Sequence, residues 1–489
     1  MSAKKTDTLL SWLIAVSVIF TVSLTLILLA FSHHEKVSTQ QEIENRNQTL
    51  TTSAIVFLGL AGMINAYYGA KRTEALENSA IASQRNIELG IENNKLNQDR
   101  LIAERFIAAI EQLGHDKVST RTGAIYALER VAQDFPKEHW TIIEILSAFV
   151  RENAPIQVSQ PQQTEEDSEP RFGRHTRVNH REHPDDPNWL EESPRIPTDI
   201  QVALTVIGRR DSRKDPVNQK IDLRNTHIRR ADLRGVDFAG ADLSGSDLCG
   251  ADLRSADLCG ADLEKAQLCG SILYEANLQS CNLSGANMNG ANLNKVKLCG
   301  ANLRGANLSG ASLRAANLTD ANLYKANLQQ ATLKLANLSG AKLFLANLQQ
   351  AKFGKANLQG AGLIGANLQQ ANLNGANLRN ANLNAAKLQQ TEVLFANLSG
   401  ASLIEVDLYR ANLMGANLQR AILHEANLCE ANLMGANLYG ANLCDVKLEG
   451  AILTGVKNLD PQQIRGALGD RTTRLPDNVE TPMHWRQTV

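Results

Sequence analysis

The dominant pattern in the chain is an apolar residue at every fifth position from Leu223 to Leu453. Of the 47 residues in this register, 42 are Leu, and the exceptions are Ile228, Phe238, Met288, Phe353 and Val393. In an α-helix, residues five apart lie about 140° apart around the axis, so these side chains would form no apolar face. In a straight strand, an odd spacing would place them alternately on opposite faces. The pattern therefore predicts a backbone that turns a corner after every five residues.

Four sides of five residues would close a square coil of about 20 residues, and stacked coils would be joined by ladder hydrogen bonds at about 4.8 Å. The small residue and the Leu of each repeat point inward, Asp or Asn points outward between them, and the last two residues form the bend. Burial of each Leu contributes about 2 kcal/mol. The register predicts a mainly β solenoid over 221–455 with about 12 coils.

The repeat unit is A-(D/N)-L-x-x, as in Ala241–Gly245 and Ala301–Gly305. This unit resembles the signature of the pentapeptide-repeat family. The resemblance implies a right-handed quadrilateral β-helix. Because open solenoid ends expose unpaired backbone, we expect a capping helix at 197–210 and a C-terminal cap and tail at 456–489. A further helix is predicted to begin at Leu459-Asp460-Pro461.

The N-terminal region carries two apolar runs long enough to be membrane spans. The first covers 9–31 without a charge, and the second has its apolar centre in 53–70. Basic residues flank the outer ends of both runs, which predicts a cytoplasmic tail at 1–8, an external loop at 32–52 and a cytoplasmic solenoid. We therefore expect an integral protein of a bacterial inner or internal membrane.

Charged and apolar residues alternate at helical spacing over 71–152, which predicts a helical stalk followed by a three-helix module. The run from Phe106 to Pro155 resembles the helical module that precedes pentapeptide repeats in bacterial membrane proteins. Such a module is either a signalling or docking unit or a spacer that holds the solenoid off the bilayer. The next segment, 153–196, is rich in proline and charge and is predicted to be a disordered linker. Its His175, His180 and His183 are interpreted as solvated residues rather than metal ligands.

Residues twenty apart lie above one another in the predicted solenoid, so the sequence sorts into columns. One column stacks Gln pairs from Gln329-Gln330 to Gln389-Gln390. Two other columns carry apolar residues in vertical register, which suggests a surface for a protein partner or for a second copy of the chain. An alternative is that they only shield the ladder edges. The candidate partner-binding residues are Tyr324, Phe344, Leu345, Ile364, Ile404, Leu394, Phe395, Met414 and Met434.

The chain has 50 basic and 51 acidic residues, which gives no global field for binding nucleic acid. Aspartates such as Asp222 and Asp252 recur in the first coils, as in family members that mimic DNA and protect gyrase, but arginines stand among them. Cys249 and Cys269 are predicted to be vertical neighbours and, in a reducing cytoplasm, free thiols. The ordered regions contain no catalytic triad, zinc spacing or cofactor motif in a suitable context, so no catalytic residue, metal or cofactor is predicted.

Together these patterns predict a membrane-tethered scaffold without enzymatic activity, which displays a β-solenoid to cytoplasmic protein partners and can form homo-oligomers. The alternative function is a regulator that inhibits or protects an enzyme such as DNA gyrase by surface mimicry.

Overall fold

The computed structural model describes residues 3–32, 40–156 and 195–486. The chain separates into two compact units, Met1–Gln98 and Asp99–Val489. Within these described ranges, five α-helices come first and the solenoid follows them. The helices are α1 (Ala3–Ser32), α2 (Gln40–Leu113), α3 (Val118–Asp134), α4 (His139–Asn153) and α5 (Thr198–Gly208).

Within the first unit, α1 and α2 place apolar side chains on their surfaces. Phe20 of α1 and Phe57 of α2 pack edge to face with ring centroids 5.2 Å apart. Leu58 remains 72% exposed. Among the described residues, one helix, Ile43–Leu113, is long and apolar enough to cross a membrane, and a shorter apolar stretch lies at Leu13–Val22.

The predicted external loop at 32–52 is wrong over its second half, because α2 already begins at Gln40. This polar stretch contains neither Pro nor Gly, so nothing interrupts the helix. The hydroxyls of Thr49 and Thr52 donate to the carbonyl oxygens of Asn45 and Gln48 at 2.7 Å, which satisfies these polar side chains within the helix. Polarity alone therefore did not mark the boundary of the helix.

In the second unit, helices α3, α4 and α5 pack on one another around fully buried Ile125, Ile142 and Leu204. Arg121 of α3 donates to the buried carboxylate of Asp199 in α5 at 2.6 Å, which joins the two helices across a long sequence separation. The predicted linker histidines, His175, His180 and His183, lie outside the described residues.

From Asp222 onward the chain winds in coils of twenty residues. Parallel bridges join residues twenty apart, from Asp222 and Asp242 to Asn437 and Lys457. The Leu and Ala of the repeats form the interior, and Leu303, for example, is fully buried. The register that the sequence predicts is therefore the register of the backbone.

Hydrogen bonds between coils satisfy the backbone. In the repeat Ala301–Gly305, the amide of Leu303 donates to the carbonyl oxygen of Asn322 in the next coil at 2.7 Å. The amide of Asn302 donates to the carbonyl oxygen of Cys281 in the previous coil at 2.8 Å. The same pattern repeats along the solenoid, so each coil is bonded to both neighbours.

The outward Asp or Asn has a structural role at each corner. The fourth amide of a repeat faces the corner, and the Asn side chain accepts from it, as Asn347 Oδ1 accepts from the amide of Gln349 at 3.3 Å. Asn347 Nδ2 also donates to Asn327 Oδ1 in the previous coil at 3.1 Å. Asparagine is therefore favoured because it satisfies the corner and the ladder together.

Where the second residue of a repeat is not Asp or Asn, a neighbouring coil can supply the acceptor. Ser402 replaces the usual residue, and the amide of Ile404 donates instead to Oδ1 of Asn384 at 3.1 Å. The Ser402 hydroxyl donates to the same oxygen at 2.6 Å. The pair Asn294 and Ser312 has the same arrangement. An Asn in the corner therefore compensates for a missing Asn one coil later.

The fifth residue of every repeat adopts a left-handed backbone conformation. All 47 fifth positions from Asn225 to Gly455 have positive φ, and 21 of them are Gly. A residue with a Cβ costs about 1–2 kcal/mol more than Gly in this region. Leu345 and Phe395 nevertheless occupy it, with φ of 57° and 54°.

The helical module covers the open N-terminal end of the solenoid. The chain after α4 pairs with the first coil, where the amide of Ile156 donates to the carbonyl oxygen of Asn225 at 3.0 Å. The amide of His227 donates to the carbonyl oxygen of Ala154 at 2.6 Å. The predicted disordered linker at 153–196 is therefore wrong over its first residues, because the unpaired ladder of the first coil binds them.

Helix α5 caps the next two sides with a side chain and with its C-terminal end. The side-chain amide of Gln201 donates to the carbonyl oxygen of Asp232 at 2.8 Å and accepts from the amide of the same residue at 2.9 Å. The Gln201 side chain thus makes the two hydrogen bonds that a neighbouring strand would make. At the end of α5, the carbonyl oxygen of Gly208 accepts from the amide of Asp237 at 2.8 Å.

The predicted helix from Leu459 is wrong, because the chain there forms turns and then pairs with the last coil. Leu468 exchanges two backbone hydrogen bonds with Val446 and Leu448, at 2.8 and 2.6 Å. Only extended backbone can satisfy this ladder, so pairing prevails over helix formation. Buried Trp485 closes the end, and its indole donates to the carbonyl oxygen of Ala467 at 2.9 Å.

The expectation of free thiols at Cys249 and Cys269 is also wrong, because the two sulfurs form a disulfide in the structure. The coil register places their Cα atoms 4.7 Å apart, which is within the range that a disulfide needs. The bond joins two adjacent coils at one corner.

We expect Gln201→Ala to weaken the N-terminal end of the solenoid, because it leaves the amide and the carbonyl group of Asp232 without their partners. The free energy of local opening should fall by about 1–3 kcal/mol. Hydrogen exchange of the first-coil amides in the full-length protein measures this change. The matched control is Gln359→Ala on the exposed surface of a later coil, and equal exchange in the two variants would contradict the capping role.

Candidate functional site

The first candidate surface runs along one corner of the solenoid, here named the Tyr324 corner. It contains the fourth and fifth residues of successive coils, and its sequence-predicted members are Tyr324, Phe344, Leu345, Ile364 and Ile404. Backbone hydrogen bonds link its coils directly, as the amide of Lys325 donates to the carbonyl oxygen of Phe344 at 3.0 Å. The structure therefore brings these five residues into one column, interrupted by Asn384.

Glycines in the next coil make room for the large side chains of the Tyr324 corner. A Cβ on Gly362 would lie 2.6 Å from the ring of Phe344, and a Cβ on Gly365 would lie 2.7 Å from Leu345. Gly362 stands where most repeats have Asp or Asn, so the Phe344 ring occupies the space that an outward polar side chain would fill. The ring therefore lies along the outer surface of the coil.

Two basic side chains lie near the ring of Tyr324, the first aromatic residue of this corner along the chain. The guanidinium of Arg304 and the ammonium of Lys325 lie 5.2 and 5.3 Å from the ring centroid of Tyr324. These are cation–π distances. The Tyr324 corner thus carries basic side chains around Tyr324 and aliphatic side chains, Ile364 and Ile404, in later coils.

The second candidate surface is the Phe395 corner, which contains Leu394, Phe395, Met414 and Met434. The ring of Phe395 is 69% exposed and leans over Gly415, where a Cβ would lie 2.6 Å from it. Leu335 in the same column is also exposed, although it is not among the residues predicted from the sequence. The sequence position of Leu335 could have predicted its exposure, because it is the fifth residue of its repeat, two residues after the inward Leu333, and forms part of the bend.

The two candidate surfaces cannot form one site. In the twenty-residue register, the Tyr324 and Phe395 corners differ by ten positions, so they lie at diagonally opposite corners of the square coil. A corner between them carries the glutamine ladder, in which Gln330, Gln350, Gln370 and Gln390 are joined by side-chain hydrogen bonds of 2.9–3.0 Å. A partner that binds both apolar columns must therefore contact two separate strips.

The acidic first coils are neutralised by ion pairs. Arg234 and Arg254 bind the carboxylates of Asp232 and Asp252, and these hydrogen bonds hold the pKa values of both carboxyls below their usual range. Asp247 is largely buried and binds Arg229. The aspartates therefore do not form a continuous negative surface.

Comparison with known proteins matches the solenoid. The family model for pentapeptide repeats, which represents eight copies, matches overlapping segments from 219–254 to 421–457 that together cover 219–457. A comparison with curated proteins finds no match.

Solved structures of pentapeptide repeat proteins are also similar to part of this chain. HetL, a pentapeptide repeat protein involved in heterocyst differentiation regulation from the cyanobacterium Nostoc sp. strain PCC 7120, is 34% identical, and the match covers 45% of this chain and 88% of HetL with a TM-score of 0.22. The pentapeptide repeat protein alr5209 from Nostoc is 33% identical over 23% of this chain and 77% of its own, with a TM-score of 0.18. A trypsin-treated form of the plasmid-mediated fluoroquinolone resistance protein QnrB1 is 21% identical, with coverages of 41% and 87% and a TM-score of 0.23.

We expect Gly415→Ala to destabilise the solenoid more than Gly435→Ala does. Both glycines have positive φ, at 68° and 70°, but only Gly415 has the Phe395 ring against it. The backbone cost of about 1–2 kcal/mol is common to both, and the clash adds about 1–3 kcal/mol at Gly415. Urea unfolding of the compact unit Asp99–Val489 measures the difference.

The control is to compare Gly415→Ala with Gly435→Ala again in a chain that also carries Phe395→Ser. There the two glycine variants should become equally stable, because the clashing ring is gone. An unchanged difference would show that the Phe395 ring does not pack on Gly415.

Proposed function

Because the chain belongs to the pentapeptide-repeat family, we propose that it is a membrane-tethered protein-interaction module without enzymatic activity. The solenoid interior supports this proposal, since Leu and Ala side chains fill it along the repeats. A filled interior offers no concave, water-excluding pocket for a substrate. The surface of the coils is then the part of the solenoid that can act.

The apolar columns support a role in protein binding. Leu345 and Phe395 are exposed and also hold a left-handed backbone conformation that Gly would adopt at lower cost. A strained, exposed apolar residue gives the folded chain no evident stability, so a partner surface accounts for both features. We assign the Tyr324 corner as the main contact strip, because the basic side chains of Arg304 and Lys325 adjoin its apolar residues.

Two membrane-spanning helices form the tether in this proposal, one within α1 and one within α2. Their apolar side chains, such as Leu10, Ile14 and Ile55, are exposed and are not buried by the part of the chain that the structure describes. Lys4 and Lys5 precede the first span, and Lys71 and Arg72 follow the second. This distribution favours a solenoid on the cytoplasmic side of a bacterial inner or internal membrane.

The alternative function, inhibition or protection of an enzyme such as DNA gyrase by mimicry, has less support. A DNA mimic needs a continuous row of uncompensated negative charge. In the first coils, Arg224, Arg234 and Arg254 bind the aspartates that would form such a row. A membrane tether would also hold the solenoid away from the chromosome.

We expect a photo-reactive phenylalanine analogue at Phe344 to cross-link a discrete protein in native membranes. The same analogue at Gln359, which is exposed on another corner, should give no such product. Adding Ile364→Asp should lower the yield at Phe344 by about tenfold or more, because a charge then stands in the adjacent coil of the contact strip. Gel analysis of the full-length protein gives the yields.

The size of the cross-linked product identifies the kind of partner. A product of twice the mass of the chain indicates a second copy, and any other discrete mass indicates a different protein. Equal yields at Phe344 and Gln359 would contradict a contact strip at the Tyr324 corner.

We expect the full-length chain to stay in the membrane during alkaline carbonate extraction and the unit Asp99–Val489 to be soluble, because the tether lies in Met1–Gln98. A C-terminal reporter that is active only in the cytoplasm should be active in the full-length fusion. Release of the full-length chain would contradict the tether, and activity of a periplasmic reporter would reverse the orientation.

A further inference from the structure

A cluster of metal-ligating side chains lies further along the Tyr324 corner. His424 and Glu425 occupy this corner in one coil, and Cys444 and Asp445 occupy it in the next coil. The ligand atoms of His424, Cys444 and Asp445 all lie within 4.8 Å of one another. We propose that these three residues bind Zn²⁺ or a similar borderline-soft divalent cation, with Glu425 as an outer hydrogen-bond partner.

The hydrogen-bonding of His424 favours a cation between the two coils. Its Nε2 lies 3.2 Å from the carboxylate of Glu425. Its Nδ1 lies 3.2 Å from the carbonyl oxygen of Cys444 and 3.7 Å from the carboxylate of Asp445. A neutral imidazole donates from one nitrogen only. When Nε2 donates to Glu425, Nδ1 directs its lone pair toward the carboxylate of Asp445, and a cation held between these two groups is attracted by both.

The identity of the donors favours zinc among the divalent cations. Imidazole nitrogen, thiolate sulfur and carboxylate oxygen are the ligands that Zn²⁺ takes, whereas Mg²⁺ and Ca²⁺ take oxygen. A carboxylate on the second imidazole nitrogen, as Glu425 provides, is the usual outer partner of a metal-bound histidine. Three protein ligands leave the fourth tetrahedral position for water or for another ligand.

The cluster can close around an ion with small side-chain movements. Ligands at about 2.0–2.3 Å from zinc stand roughly 3.3–3.8 Å apart, which is slightly closer than the present spread. Cys444 and Asp445 are exposed, so their side chains can rotate without repacking the interior. In the structure, the Cys444 thiol donates a hydrogen bond to the carboxylate of Asp445 at 3.1 Å. Metal binding would replace that proton.

Cobalt is the probe that reports on the sulfur ligand, because a Co²⁺–thiolate bond gives a charge-transfer absorption in the near ultraviolet. The full-length protein is purified in detergent, treated with a chelator and a reductant, freed of both, and titrated with Co²⁺. We expect one Co²⁺ per chain with this absorption, and loss of the absorption when Zn²⁺ is added. Absence of the absorption at saturation would overturn the proposal.

Variants distinguish the proposed ligands from other thiols. Cys444→Ser should abolish the absorption, and Glu425→Gln should keep it while weakening affinity by about 10–100-fold, as expected of an outer partner. Cys429→Ser is the matched control. The Cys429 thiol also donates to a carboxylate, that of Glu449 at 3.1 Å. Within the described residues, however, Cys429 does not belong to a cluster of three metal-ligating side chains. Absorption that survives Cys444→Ser, or that disappears with Cys429→Ser, would overturn the assignment.

Circular dichroism of each variant shows whether the solenoid is intact. If Cys444→Ser does not fold, His424→Gln takes its place, and it should weaken Co²⁺ binding by tenfold or more. Unchanged affinity in a folded His424→Gln variant would overturn the proposal, because the nitrogen ligand would then have no role.

Discussion

The ladder hydrogen bond between coils is the constraint on which the rest of the solenoid depends. The amide of Leu303 donates forward to the next coil and the amide of Asn302 donates backward to the previous one, so each repeat is fixed from both sides. A single inserted residue would move the inward side chains outward and break these bonds over the following coils. This explains why 47 repeats follow one another without a change of register. The interior is mostly Leu and Ala for the same reason, because a side chain of another size would have to fit between the coils above and below it.

Because the inward positions are almost always Leu or a small residue, most sequence variation falls at the outward positions. These positions do not all accept the same range of residue types. The second position is tied to the corner, where Asn347 accepts from the amide of Gln349, and its loss at Ser402 is compensated by Asn384. The fourth and fifth positions carry no such obligation, although the fifth must adopt positive φ. Large residues such as Phe395 occur there at a cost in backbone energy, and glycine one coil later accommodates them. The corners are therefore where this fold can acquire a function at a limited cost in stability, with the interior unchanged.

Much of this architecture could be predicted from the sequence, because it depends on a period that is visible in one dimension. The solenoid register, the apolar columns and the helices before the repeats follow from spacing alone. The contacts that could not be predicted join residues at irregular separations. Gln201 binds Asp232 through its side chain, and no period leads from one to the other. The C-terminal turns were also missed, because the ladder of the last coil overrides local helix propensity. The cluster of His424 and Cys444 follows the same period, since its members are one coil apart. They are twenty residues apart in the sequence, however, and so do not form a contiguous metal-binding motif.

The way the N-terminal end is closed gives the helical module a capping role that a simple spacer would not have. A simple spacer could be removed and would leave the solenoid unchanged. Here the chain after α4 pairs with Asn225 and His227, and α5 supplies the partners of Asp232 and Asp237. Removal of the module would expose a row of unpaired backbone groups, which is the kind of edge that proteins protect against aggregation. The module is therefore part of the solenoid fold, and any docking role that it has must operate while it caps the first coil.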